Sequence, residues 1–98
     1  MLLDIPAVRG VPFLAERGVA ALGSDGDNDT APITTEGVAF PTHVLAIVAM
    51  GLHLLGYLDL EDLRAACDSA GRWECLSVAA PLRIQGGTGS LVNPIAIL

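Results

Sequence analysis

Between Glu36 and Asp59 the chain runs for 22 residues, Gly37–Leu58, without one Asp, Glu, Lys or Arg. A stretch of that length is enough to cross the roughly 30 Å hydrocarbon layer of a membrane, or else it must be buried in a protein core. Its punctuation favours burial. Pro41, Gly51 and Gly56 interrupt it, His43 and His53 sit inside it, and its flanks are acidic, with no Lys or Arg nearby to orient a span. Two shorter elements are therefore expected. Leu45, Val48, Ala49 and Leu52 recur at helical spacing behind Pro41-Thr42, predicting a buried helix over 42–50 that Gly51 ends. A strand over Leu52–Leu55 follows. A membrane anchor is the alternative to this arrangement.

The remaining punctuation extends the pattern. Pro12 and Gly18 bracket a short helix, and Val19–Gly23 reads as a strand. Residues 24–39 hold four acids, two glycines and a proline without any period, predicting a surface loop. Asp59 suits the N-cap of a helix over Leu60–Ala70, with Asp62 placed to reach back, Leu60, Leu63 and Cys67 on one face, and Gly71 as the stop. Trp73–Leu82 is a partly alternating apolar run closed by Pro81, and the loop GGTGS at 86–90 precedes a last apolar run, Pro94–Leu98. Helices alternate with strands, so the fold class is α/β in one small domain.

Charge restricts the partners. The 98 residues carry 11 acids against five arginines (Arg9, Arg17, Arg64, Arg72, Arg83) and no lysine, a net charge of −6, so no basic patch exists to neutralise phosphates and nucleic acid is excluded. Charged residues make up only 16% of the chain and apolar ones 52%, which leaves apolar surface for another protein. Cys67 and Cys75 form no CxxC pair and no cationic leader precedes an apolar segment, as expected of a reduced cytoplasmic protein.

Several segments bear on chemistry. Asp25, Asp27, Asp29 and Glu36 occupy the first, third, fifth and twelfth places of a twelve-residue loop, the oxygen spacing of an EF-hand. Thr30, where such a loop needs Gly, and Pro32, where it needs a pairing amide, predict a solvated acidic loop instead. Imidazoles are the natural metal and proton-transfer groups near neutrality, which singles out His43 and His53. Neither has a second histidine at ligand spacing. Ser24, Ser77 and Ser90 lack a nucleophile elbow, and GGTGS lacks the lysine of a phosphate-binding loop.

Taken in order, FLAERGVAALGSDG at 13–26, PTH at 41–43, MGLHLL at 50–55, LDLEDLRAAC at 58–67, RWE at 72–74 and APLRIQGGTGSLVNPIAI at 80–97 resemble the C-terminal third of the cyclase family, whose members include bacterial kynurenine formamidases and isatin hydrolase. MLLDIPAVRGV at 1–11 is similar to a family segment that stands farther upstream, which implies a remnant with an internal deletion. The division expected is thus 1–12 as an N-terminal segment and 13–98 as the truncated family domain. The resemblance implies a partial swivelling β/β/α fold with a mixed sheet and two or three helices. It also implies zinc or manganese that activates water to cleave an amide or lactam C–N bond, the arylformamidase chemistry of tryptophan catabolism. His43 matches a family metal ligand. The acid expected after GLHLL falls on Gly56, the Pro of the GSPVNP stretch is Leu91, and the HxGTHxDxPxH motif that supplies most ligands has no counterpart. The implied function is that of a cyclase-family hydrolase inactive as this chain alone. A non-catalytic interaction module, or a split-enzyme subunit that pairs with itself or a complete homologue, is the alternative.

Overall fold

The computed structural model describes residues 7–29 and 36–98, with backbone alone for 7–9. The expectations for Met1–Pro6 and for Thr30–Thr35 lie outside the described residues. The chain divides into two compact units, one ending at Leu60 and the other spanning Glu61–Leu98.

In the first unit, helix α1 spans Ala7–Glu16. It starts five residues before the expected Pro12, which stands inside it, exposed. A proline there removes one backbone hydrogen bond. Val11 and Leu14, three apart on one face and both buried, supply the apolar burial that offsets the loss. The helix ends as its glycine foretold. Gly18 is left-handed (φ 58°), its N–H donates to Ala15 O at 3.1 Å and that of Val19 to Leu14 O at 3.2 Å, the paired bonds of a Schellman cap. Arg17 lies 3.5 Å over the Phe13 ring.

Strand β1, Ala21–Gly23, pairs in parallel with β2, His53–Leu55, in the register Ala21 to His53, Leu22 to Leu54 and Gly23 to Leu55. Between them lies α2, Pro41–His43, which runs directly into a π-helix, Val44–Ala49. Parallel neighbours joined through a helix define the α/β class. The helix expected over 42–50 is present, but not with the expected face. Leu45, Val48 and Ala49 are exposed, and the buried positions are Thr42 and Ala46. Thr42 and Ala46, four apart, share one side, and from Val44 on the helix winds wider than an α-helix. The same width shows at the stop: Gly51 N–H donates to Ile47 O at 3.2 Å, but Leu52 N–H reaches Ala46 O at 2.8 Å, one residue farther back than in the cap of α1. The core of this unit is Leu14, Ala46 and Leu52, with Phe13, Val19, Leu22, Met50 and Leu54 packed around it.

In the second unit, α3 spans Glu61–Ala70, one residue later than expected, with Glu61 and Asp62 in its first turn where acids suit the helix dipole. Cys67 is buried and Leu63 and Ala66 are half-buried on the expected side. Gly71 (φ 64°) and Arg72 close it with bonds to Asp68 O and Cys67 O, both 3.3 Å. Strands β3, Leu76–Val78, and β4, Ile95–Ile97, form an antiparallel pair. The described strands thus make two separate two-stranded sheets, one parallel and one antiparallel. Among the described residues no helix is long and apolar enough to cross a membrane.

Candidate functional site

The start of α2 lacks a cap of its own. Its N-cap residue is Phe40, left-handed at φ 59°, and Pro41 has no N–H to satisfy. The next two amides, of Thr42 and His43, are served from 13 and 14 residues upstream. Thr42 N–H donates to Asp29 Oδ1 at 2.7 Å, and His43 N–H to Asp29 Oδ2 at 3.3 Å. The same Oδ2 is in direct contact with His43 Nδ1. One carboxylate therefore caps the helix with both oxygens and also holds the imidazole that the helix presents. The side chain of Asp29 is 4% exposed, that of His43 38%.

The loop that delivers Asp29 is tied to the parallel strand pair. Ser24 N–H donates to Leu55 O at 2.9 Å, Leu58 N–H to Ser24 O at 2.9 Å and Tyr57 N–H to Gly26 O at 3.1 Å. Ser24 Oγ lies 2.8 Å from Gly26 O and 3.1 Å from Oδ1 of the buried Asn28, and Asp29 N–H reaches Asp27 Oδ1 at 3.4 Å. Burial raises the Asp29 carboxyl toward its neutral form. The His43 side chain and the amides of Thr42 and His43 outweigh it and hold Asp29 below the ordinary carboxylate value. The Thr42 hydroxyl adds to that lowering by its nearness, yet this buried atom has no partner in hydrogen-bonding geometry among the described residues. The Phe40 and His43 rings stand roughly perpendicular with centroids 5.9 Å apart.

The other candidates are scattered. His53 is exposed on β2, and Cys67 and Cys75 are free, the first buried and the second half-buried. Of the acids at EF-hand spacing, Asp25, Asp27 and Glu36 are exposed, while Asp29 is turned to the helix. Ser90 serves its own loop, accepting the Leu82 N–H at 2.7 Å and donating to Leu91 O at 2.7 Å. Gly56 packs closely: a Cβ there would lie 3.3 Å from Gly26 O and 3.5 Å from Asn28 Nδ2. A carboxylate side chain at 56 would crowd the loop that carries Asp29. Sequence reasoning singled out His43 and Asp29 separately and missed their pairing. The signal was a helix starting Phe-Pro, with no capping side chain of its own, behind a loop rich in carboxylates.

Among the described residues no three His, Cys, Asp or Glu side chains are placed to share a metal ion. Compared with known proteins, the chain matches no family model, no curated protein and no solved structure.

Proposed function

We propose that the chain is a cyclase-family polypeptide related to the metal-dependent amide hydrolases, of the arylformamidase kind, and that it contributes His43 to a C–N bond-cleaving site without being catalytic by itself. The observation that supports this is the His43–Asp29 pair: an imidazole fixed through Nδ1 by a buried carboxylate, the arrangement in which metal-ligating histidines are ordinarily held. The α/β alternation is compatible with a partial swivelling β/β/α fold. Free Cys67 and Cys75 agree with a reducing, cytoplasmic setting.

The donor set does not fit a complete catalytic centre for zinc or manganese. Such a centre takes about three protein ligands and an open position for water. Here the described residues supply one imidazole, and at Gly56, where the resemblance leads one to expect the missing acid, a Cβ would lie 3.3 Å from Gly26 O. No step of hydrolysis is therefore assigned to these residues alone, and His43 is offered as one ligand among others from a second polypeptide. The test is complementation with a cyclase-family polypeptide carrying HxGTHxDxPxH. Metal retention and cleavage of an N-formylkynurenine-like amide are expected on mixing, and both are expected to vanish with His43→Ala. Activity indifferent to that substitution, or no association at all, overturns the proposal.

A non-catalytic interaction module is the second reading, and one feature favours it. In the register of β3 and β4, Leu76, Val78, Ile95 and Ile97 share one face, and each is between 47% and 64% exposed. Light scattering distinguishes it: self-association is expected, and a monodisperse monomer that binds no apolar dye contradicts it.

A further inference from the structure

We propose that Asp29 is a positioning residue for His43, selecting the Nδ1–H tautomer and so leaving the Nε2 lone pair as the outward-facing, reactive atom of the site. The contact that carries this is Asp29 Oδ2 against His43 Nδ1. An ionised carboxylate only accepts, so the ring nitrogen facing it must donate, and a neutral imidazole then has its lone pair on the other nitrogen. Nε2 has no hydrogen-bond partner among the described residues, and the His43 side chain is 38% exposed against 4% for Asp29. The carboxylate is buried and the imidazole that it holds is partly exposed.

The carboxylate cannot turn away. Oδ1 holds Thr42 N–H and Oδ2 holds His43 N–H, so the capping bonds fix the plane in which it meets the ring. The loop behind it is fastened in turn by Ser24 to Asn28 and by Tyr57 to Gly26. The imidazole is tied at Nδ1, with the Phe40 ring roughly perpendicular beside it. A group with that lone pair accepts a proton or binds an electrophilic ion, whereas an imidazole with the opposite tautomer in the same pose does neither at that atom.

This deepens the function proposed above, since Nε2 is the atom through which His43 would act there, but it is tested without metal or substrate, so the two fail separately. The experiment is two-bond 15N–1H correlation of the imidazoles in the full chain, labelled at histidine, at a pH where the rings are neutral. His43 is expected to show a protonated Nδ1 and an unprotonated Nε2, while exposed His53 serves as the internal reference. Asp29→Ala removes the accepting oxygen at Nδ1, so the two His43 nitrogen signals should move toward those of His53. A native His43 carrying its proton on Nε2 overturns the proposal whether or not the variant folds, and so does a tautomer unchanged by Asp29→Ala in a folded protein.

Discussion

The two units use similar apolar content to opposite effect. In the first, Leu14, Ala46 and Leu52 are 5%, 0% and 3% exposed and α1, the π-helix and the parallel strands close around them. In the second, every residue of β3 and β4 is exposed and Cys67 is the sole buried large side chain among those described. A two-stranded ribbon is marginal in water unless something packs on it. The first unit thus builds a rigid platform for Asp29 and His43, while the second offers an apolar face. What separates them is topology. A parallel pair needs a crossover, and the crossover brings a helix to cover it; an antiparallel pair joined by a loop brings nothing.

The largest expected effect tests this contrast. Leu52→Ala should destabilise the first unit by about 3 kcal/mol, as large-to-small changes in packed cores do. Leu76→Ala in the exposed ribbon should change the stability of the monomer by no more than about 0.5 kcal/mol. Denaturant titration of both variants measures the difference, and equal losses would break the comparison.

Next comes the clasp. Asp29→Ala removes the acceptor for two helix amides and for the ring, and should cost about 1–2 kcal/mol. The pH dependence follows from the same carboxylate. Its native value lies below its unfolded one, so its stabilisation is fully present above the unfolded value of about 4 and is lost as pH falls through the lower native value. Acid titration of stability should therefore show a loss below about pH 4 that is absent in Asp29→Ala.

A smaller effect is expected at Gly56. Gly56→Asp, which restores the acid type that the resemblance leads one to expect, should cost about 1 kcal/mol through crowding of Gly26 and Asn28. Thermal unfolding measures it. A stabilised variant would show that the loop yields easily.

Local punctuation was legible in the sequence because it is local physics. Gly18, Gly51 and Gly71 each mark a helix end, and the four strands lie within the apolar runs that suggested them. What was hidden depends on distance or on phase. Thr42, a polar residue, is buried with its amide taken by Asp29 and its hydroxyl without a partner among the described residues, a placement that the apolar period did not reveal. The Asp29–His43 pair spans 14 residues, and in sequence Asp29 is indistinguishable from Asp25 and Asp27, which remain exposed. Spacing alone grouped it with calcium-type oxygens; only the folded chain shows that it answers an uncapped helix.

The described residues present one positioned histidine and place no three ligands together for a metal ion. Zinc and manganese analysis of the isolated chain after dialysis, with an amidase assay in added metal, tests this most directly. The expected result is less than stoichiometric metal and no turnover of an N-formylkynurenine-like amide. One tightly held metal per chain, lost together with activity on His43→Ala, would contradict it.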